Sequence, residues 1–263
     1  MKVTILGSGS SSGTPALSEG WGACDPENPR NRRLRPSLLI ENGATTVLVD
    51  TSPDLRQQLL NAGTNRLDAI LYTHCHADHL HGIDDLRGVN KAMNAPLRVF
   101  ADAQTRDHIH QRFQYVTTPL DPGADFYYKP VLDITEISPG ESFSVGGMEI
   151  QAFDQDHGYM HTLGYRMGDF AYSTDLLGLP EESFRALEGV QTWIVGVFSW
   201  QPHQTHAHVD LALEWIERVK PARAVLTHLG PTIDYAELSA YVPEGVEAAY
   251  DGMEIEVGDD GDG

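Results

Sequence analysis

The 263-residue sequence predicts an α/β layered fold, in which two β-sheets pack against each other and helices cover their outer faces. Apolar, β-branched runs alternate with helical patterns, and the two halves of the chain carry hairpins, strands and helices in a similar order. Four of the apolar runs end in a histidine or an aspartate, which is typical of folds that collect a site at strand ends. We expect one domain over residues 1–263, because layered α/β domains often reach this size.

Composition and charge narrow the class of protein. Apolar residues make up 41% of the chain, which is enough for a sizeable core, and the formal net charge is −20. Such an acidic chain is disfavoured as a partner of long nucleic acid, which requires a basic face. A small phosphorylated substrate is still compatible with it, because bound divalent ions reverse the local field. Part of the negative charge lies in the tail 258–263, which we expect to be a solvated, frayed end.

Cysteine usage and the hydropathy pattern predict a cytoplasmic protein. The two cysteines, Cys24 and Cys75, do not make a disulfide framework, so a reducing compartment is expected. The apolar run at the N-terminus is too short for a signal peptide. No stretch approaches the roughly 20 apolar residues of a membrane span, so no membrane partner is expected.

Periodicity and turn residues predict the elements in order. In the first half they are a strand at 3–6, a hairpin of 37–41 and 45–50 around Asn42-Gly43, a helix at 53–62, strands at 67–72 and 97–100, and a helix at 103–113. In the second half they are strands at 131–137 and 148–154, a hairpin of 162–166 and 170–173, a helix at 181–188, a strand at 193–197, a helix at 207–219, a strand at 224–226, a helix at 234–240, and a terminal hairpin of 246–250 and 253–257 around Asp251-Gly252.

The segment Thr73-His74-Cys75-His76-Ala77-Asp78-His79 follows the buried strand predicted at 67–72. Imidazole and carboxylate are ligands of borderline and hard divalent metals. So short a segment cannot direct four such side chains at one ion. We expect His74 and His76 to serve one metal, and Asp78 and His79 an adjacent one.

Later strand ends supply further candidate ligands, namely His157, Asp175 and His228. With them each ion would have about three protein ligands, and Asp175 could bridge the ions with one oxygen on each. This leaves coordination room for a shared water, as in catalytic sites. Asp50, at the end of the strand 45–50, is expected to orient a histidine of the cluster, to cap the helix that follows, or to do both.

Two loops rich in small or basic residues are candidate substrate contacts. The run Gly7 to Pro15 lacks the Gly-Lys-Ser/Thr ending of a nucleotide-binding P-loop, so we interpret it as a loop lining another site, with Ser10 as a contact. The run Arg30 to Arg35 has four arginines in a very acidic chain. Arg33 and Arg35 are candidate ligands for phosphate oxygens, although a solvated charged loop is an equal alternative.

The His-x-His-x-Asp-His segment, with an isolated His, Asp and His at later strand ends, resembles the metallo-β-lactamase superfamily. The resemblance covers nearly the whole chain and implies an αββα sandwich with a binuclear site at one edge. Gly7 to Pro15, Arg30 to Ser37, Gly164-Tyr165-Arg166 and Thr205-His206 are similar to the phosphoribosyl cyclic-phosphate phosphodiesterases of phosphonate breakdown. This similarity implies that His206 lies beside the substrate phosphate.

The chain departs from that phosphodiesterase family at a structural zinc site. The family holds an extra zinc with several cysteines of the N-terminal loop and a histidine after the last metal ligand. Here the loop retains Cys24 alone, and Pro231 occupies the position of the histidine. We therefore predict no third zinc, and the change beside the site leaves the exact substrate open.

The function expected from the sequence is metal-assisted hydrolysis of a small cyclic phosphate or nucleotide-like diester. Two divalent ions, zinc or manganese with iron also compatible, would activate water, while Asp78 holds a metal and orients the nucleophile and His206 protonates the leaving oxygen. Other superfamily hydrolases (nuclease, lactone or thioester hydrolase) and a non-catalytic metal-bound accessory protein are the alternatives. The N-terminal loop is a candidate surface for a homodimer.

Overall fold

The computed structural model describes residues 1–258, in which two β-sheets lie between layers of helix. The strands are β1 Lys2–Gly7, β2 Ser37–Asn42, β3 Thr45–Val49, β4 Ala69–Leu71, β5 Leu97–Ala101, β6 Leu132–Glu136, β7 Ser142–Val145, β8 Met148–Asp156, β9 His161–Met167, β10 Phe170–Ser173, β11 Thr192–Gly196, β12 Arg223–Thr227, β13 Val246–Ala248 and β14 Met253–Glu256. The helices are α1 Leu55–Ala62, α2 Ala77–Leu80, α3 Leu86–Met93, α4 Ala103–Arg112, α5 Glu181–Ala186, α6 Val209–Val219 and α7 Tyr235–Tyr241, with 3₁₀ turns at Pro29–Asn31, Ile83–Asp85 and Gln114–Thr117.

Each sheet has seven strands. The first has the order β14-β1-β2-β3-β4-β5-β6, and the second has the order β13-β12-β11-β10-β9-β8-β7. Antiparallel hairpins form one part of each sheet, and parallel strands linked by helices form the other. The predicted hairpins β2–β3 and β9–β10 are both present.

Alternation along the strands explains the layering. Leu38 and Ile40 of β2 belong to the core between the sheets, whereas Leu39 belongs to the core under the outer helices. Successive side chains of a strand point to opposite faces, so β2 contributes side chains to both cores. On the other side of the molecule, Trp193 of β11 and Trp215 of α6 lie in the core beneath α5, α6 and α7. The αββα sandwich expected from the sequence is therefore confirmed.

The terminal hairpin prediction is wrong. β13 pairs in parallel with β12 in the second sheet, and β14 pairs antiparallel with β1 in the first. The connecting turn crosses between the sheets because Asp251 is anchored in the first, where its carboxylate accepts hydrogen bonds from the backbone of Ser8 and Leu34 at 2.8 and 2.7 Å. Turn residues indicate a reversal, but they do not determine which strand accepts the ladder bonds.

Three elements were not predicted from the sequence, namely α2, α3 and β7. α3 buries Leu86, Val89 and Asn90 on one face, a helical spacing that the sequence displays. β7 is an edge strand of four residues, too short for a clear period. Within residues 1–258 no helix is long and apolar enough to cross a membrane. The expectation of a frayed tail concerns residues that lie, apart from Gly258, outside those described.

Candidate metal centre

The strand ends at one edge of the sandwich bring the predicted ligands together. β4 leads into the segment of His74 and His76, and the short helix α2 carries Asp78 and His79. From the second sheet, residues following β8, β10 and β12 enter the same space. Two clusters result, and within each the potential ligand atoms lie within 4.8 Å of one another.

We call the first cluster the open group. It consists of His74, His76, His157 and Asp175, of which His76 is exposed and the others are buried. The Nε2 atoms of His74 and His157 lie 3.6 and 3.7 Å from Asp175 Oδ2. The structure thus joins two residues after β4 with residues more than 80 positions later.

We call the second cluster the closed group. It consists of Asp78, His79, Asp175 and His228, all of them buried. Asp175 Oδ1 lies 3.2 Å from His79 Nε2 and 2.9 Å from His228 Nε2. Asp78 Oδ2 lies 3.3 Å from the same nitrogen of His79.

Asp175 belongs to both groups, and its two oxygens are divided between them. Oδ2 faces the open group, and Oδ1 faces the closed group. Thr174 Oγ1 donates a hydrogen bond to Oδ1 at 2.9 Å, which fixes the carboxylate plane. The two oxygens are thus placed so that they could bind one ion each, and the bridging role stays a prediction.

Neighbouring groups orient the imidazoles. His79 Nδ1 lies 2.6 Å from Asp50 Oδ2, and Thr73 donates to both oxygens of Asp50 at 2.8 Å. His157 Nδ1 donates to the carbonyl of Thr205 at 2.6 Å. In both cases the Nε2 atom is left for the centre, as in histidine metal ligands. Asp50 is therefore in place to orient His79 and does not cap α1, which begins at Leu55.

Three residues around the centre have left-handed backbone conformations. Asp50, Asp175 and His228 have φ angles of 64°, 48° and 59°. Each stands one or two positions beyond a strand, where the chain turns sharply and directs the side chain inward. Non-glycine residues adopt this region at a cost, and such residues cluster at functional sites.

Electrostatics separate the two groups. Burial lowers the pKa of His74 well below its ordinary value, and it lowers the pKa of His157 to about 4. Burial also opposes the charged form of His228, but the carboxylates of Asp175 and Asp78 reverse the effect and raise its pKa to about 9. The metal-free open group therefore holds neutral imidazoles at pH 7, whereas the closed group holds cationic ones.

The donor set fits divalent cations. The buried atoms His74 Nε2, His79 Nε2, His228 Nε2 and Asp78 Oδ2 have no hydrogen-bond partner. Unsatisfied buried polar atoms are costly, and here they converge from several elements on the same two spaces. Imidazole nitrogen with carboxylate oxygen is a set that zinc, manganese and iron accept.

The predicted substrate contacts are not members of either group. Arg33 is 2% exposed, and its guanidinium donates to Asn31 Oδ1 at 3.0 Å and to the Gly230 carbonyl at 3.4 Å. Arg35 forms a bidentate pair with Asp54 at 2.9 and 2.7 Å. Ser10 is fully buried. These partners support structural roles for Arg33 and Arg35, whereas the buried Ser10 hydroxyl has no hydrogen-bond partner within residues 1–258. A contact of any of the three with substrate remains a prediction.

A cavity of about 550 Å³ opens onto the centre. Its lining includes His76, Asp78, His157, Asp175 and His206. His206 is 17% exposed at its side chain, and its Nε2 lies 3.2 Å from Asp175 Oδ2. His206 therefore lies beside Asp175 and faces the cavity, and its expected place beside the substrate phosphate stays a prediction.

The sequence analysis missed the opposite part of the lining. Gln104, His108 and Arg112 of α4 contribute to the same cavity, as do Ser11 and Tyr159. The signal that could have found the α4 residues is their spacing of four, which places them on one face of the helix.

Cys24 lies in a compact environment at the base of the N-terminal loop. Its sulfur donates to the carbonyls of Pro231 and Ile233 at 3.5 and 3.3 Å, and Arg33 Nη1 lies 3.9 Å away. A guanidinium therefore occupies the space next to the sulfur. The prediction that no third zinc binds here stays a prediction for metal analysis.

Comparison with known proteins agrees with this site. The model of the beta-lactamase superfamily domain matches residues 45–229, a segment that contains every residue of both groups. The chain belongs to this superfamily.

Within the superfamily, the chain resembles the PhnP family. A crystal structure of a new diphosphatase from that family is 30% identical, with a TM-score of 0.88 over 97% of this chain and 96% of the other. The resemblance to cyclic-phosphate phosphodiesterases of the sequence analysis agrees with this likeness.

Two curated relatives carry other names. An octanoyltransferase of Porphyromonas gingivalis is 33% identical over 99% of this chain, but this chain spans only 52% of that protein. A ribonuclease Z of Mycobacterium sp. strain KMS is 25% identical over 99% of this chain and 94% of its own length.

Proposed function

We propose that the chain is a binuclear metallohydrolase that cleaves a small cyclic phosphate or nucleotide-like phosphodiester. The observation that carries the proposal is Asp175, whose two carboxylate oxygens face two different groups of buried histidines. This division favours one divalent ion in each group. Zinc and manganese suit the donors, and iron is compatible. The likeness to the PhnP-family diphosphatase supports a phosphorylated substrate.

The chain's own residues have separate tasks in this proposal. Bound divalent ions would supply Lewis acidity, which acidifies water and neutralises charge on phosphoryl oxygens. Asp78, buried between His79 and His228, provides a fixed carboxylate that orients the nucleophile. His206, facing the cavity, delivers a proton to the leaving oxygen. Its Nδ1 lies 2.8 Å from Thr205 Oγ1, a contact that holds the ring.

Charge and cavity size favour a small substrate. The net charge of −20 opposes a long RNA, and a cavity of about 550 Å³ lies within the range of small-ligand sites. The relatives named ribonuclease Z make tRNA processing the second candidate function. A thioester or lactone hydrolase would have less use for His206.

A substrate panel with metal analysis tests the proposal. The protein is loaded with zinc or manganese, and its metal content is measured together with turnover of bis-p-nitrophenyl phosphate, 2′,3′-cyclic nucleotides, a ribosyl cyclic phosphate, a nucleoside diphosphate ester, a lactone and a precursor tRNA. We expect two ions per chain and the highest kcat/KM on a small diester. A preference for the precursor tRNA or the lactone would favour the other hydrolases, and absence of all turnover with both ions bound would favour an accessory protein.

Substitution of His206 tests the proton donor. We expect His206→Ala to lower kcat by about 100- to 10,000-fold on a diester with a poor leaving group, and much less on a p-nitrophenyl ester, whose leaving group needs no proton. His110→Ala, an exposed imidazole on α4, is the control and should act as wild type. Unchanged turnover of the poor substrate by the His206 variant, with both ions retained, would exclude this role.

A further inference from the structure

A buried amide lies behind the backbone that carries the shared carboxylate. Gln155 of β8 is fully buried, and Thr162 of β9 is its direct cross-strand partner. Gln155 Nε2 donates hydrogen bonds to Thr162 Oγ1 at 2.9 Å and to the Thr174 carbonyl at 3.0 Å. Burial of an amide costs free energy unless its polar atoms are paired. Both partners that offset this cost lead to Asp175.

The hydrogen bonds from Gln155 run in one direction, towards Asp175. The Thr162 hydroxyl donates its single proton to the Asp175 carbonyl at 3.0 Å, so it accepts from the Gln155 amide. The Thr174 carbonyl can only accept, and the Thr174 hydroxyl donates to Asp175 Oδ1 at 2.9 Å. Gln155 therefore holds the Thr174 carbonyl directly, and it holds the Asp175 carbonyl through Thr162.

Both peptide groups that flank Asp175 are restrained in this way. The Thr174 carbonyl belongs to the peptide before Asp175, and the Asp175 carbonyl belongs to the peptide after it. Asp175 has a φ angle of 48°, in the left-handed region that is costly for a residue with a side chain. Such a conformation persists only where the surrounding structure determines it. The hydrogen bonds that start at Gln155 supply this restraint on both sides of the Cα atom.

Gly164 of β9 makes room for the amide. A Cβ atom at Gly164 would lie 2.2 Å from Phe153 Cε2 and 2.8 Å from Gln155 Oε1, closer than real Cβ atoms approach other atoms. The next residue, Tyr165, donates to the Tyr72 carbonyl at 2.6 Å, two residues before the first candidate histidine ligand. The Gly164-Tyr165 part of the sequence motif therefore fits a role in placing ligands.

We propose that Gln155 is a positioning residue of the binuclear centre, which holds Asp175 through Thr162 and Thr174 so that one carboxylate oxygen faces each ligand group. Gln155 acts only through the backbone of Asp175. The inference rests on the proposed binuclear function and adds a residue that is not itself a ligand. Because Asp175 belongs to both groups, loss of the Gln155 donor should weaken both ions.

Gln155→Met tests the positioning role, because it removes the donor and keeps the length of the side chain. Within residues 1–258 Gln155 Oε1 is buried without a hydrogen-bond partner, so its loss should cost little. We expect the variant to bind both ions about 10- to 100-fold more weakly, as on loss of other groups that support metal ligands. Competition with a chelator measures the affinities. Electron paramagnetic resonance of manganese-loaded protein should show altered magnetic coupling between the ions.

Asn90→Leu is the matched control. Asn90 on α3 is fully buried, and its amide donates to the carbonyls of Ala95 and Val131 at 2.8 and 3.0 Å. Both variants lose hydrogen bonds of a buried amide, so we expect Tm to fall in both. Wild-type metal affinities and coupling in Gln155→Met, with Tm lowered as in Asn90→Leu, would overturn the proposal, because the amide would then serve stability alone.

Thr162 provides a second test that does not depend on the folding of Gln155→Met. Thr162→Val keeps the shape of the side chain and removes the hydroxyl, whereas Thr162→Ser keeps the hydroxyl. We expect the valine variant to weaken both ions about tenfold and the serine variant to bind them as wild type does. Equal metal affinities of the valine and serine variants would contradict the proposal.

Failure of the positioning role can be told apart from failure of the proposed function. If the wild type binds fewer than two ions, the binuclear function fails, and crystal structures of the metal-free wild type and Gln155→Met then decide the positioning role. A displaced Asp175 carboxylate in the variant supports this role, whereas an unchanged position contradicts it.

Discussion

The open and closed groups use similar ligands in different surroundings. In the open group His76 is exposed, His157 borders the cavity, and burial keeps the buried imidazoles neutral. In the closed group every residue is buried, and two carboxylates stabilise the cationic form of His228. The same side-chain types therefore meet a metal in different protonation states. Under the proposed function, an ion in the open group would be accessible to substrate, and an ion in the closed group would be enclosed and held by charge.

Loss of the shared carboxylate should have the largest effect, because it acts on both groups. We expect Asp175→Asn to lose both ions and to lower kcat/KM by about 1,000-fold or more, since each ion contributes several kcal/mol of charge stabilisation. Asparagine tolerates the left-handed backbone of this position, so the fold should persist. Elemental analysis after gel filtration measures the stoichiometry, and circular dichroism monitors the fold.

Asp78→Asn is the comparison variant for this experiment, because Asp78 belongs to the closed group alone. This variant should weaken binding of the ion in the closed group and leave binding in the open group unchanged. Two ions retained in the Asp175 variant would refute the division of its oxygens between the groups.

Loss of Asp50 should affect the closed group selectively. Asp50 contacts His79 directly and reaches the open group only through Thr73 Oγ1, which lies 3.0 Å from His74 Nδ1. Asp50→Asn should therefore weaken metal binding in the closed group by about 10- to 100-fold and in the open group by less. Competition with a chelator, followed by metal analysis, separates the two affinities. Asp154→Asn removes the carboxylate of an exposed pair with His161 and serves as control. Equal weakening of metal binding in both groups would contradict the distinction between them.

Proton release should give the smallest signal and the most direct test of the electrostatic difference. At pH 7 His228, with a pKa of about 9 in the metal-free protein, is protonated and must lose its proton to bind an ion, whereas His157, with a pKa of about 4, is already neutral. Binding in the closed group should therefore release about one proton or more and strengthen about tenfold per pH unit towards pH 9, while the open group should show little change.

Calorimetry in buffers of different ionisation enthalpy measures these protons. His157→Ala isolates the closed group, and His228→Ala isolates the open group. The same proton count in both variants would show that the groups do not differ in charge.

The convergence of the candidate ligands could be predicted because each of them leaves a local signature in the sequence. Each ligand stands at the end of an apolar run, and strand ends converge at a sheet edge, so His157 and His228 could be assigned without distances. The division of His74 and His76 from Asp78 and His79 followed from the length of the segment. The two sheets followed from the repeated order of elements.

Side-chain partners that depend on tertiary packing were not predictable in this way. The sequence shows that Arg33 and Arg35 are basic, but not that Arg33 is buried beside Cys24 or that Asp54 pairs with Arg35. Conversely, Gln104 and Arg112 resemble an ordinary solvated helix face until the cavity is known. Asp251 shows the same limit for topology, because its burial directs the last two strands to different sheets.

The left-handed conformations of Asp50, Asp175 and His228 set local stability against function. Glycine at any of these positions would relieve a backbone cost of about 1 kcal/mol, but it would delete a carboxylate or imidazole that the centre requires. Selection for stability alone would therefore favour substitution at these three positions before other positions of the centre. A related sequence with glycine at position 175 or 228 and the same sandwich would therefore be expected to keep the fold and to lack metal binding.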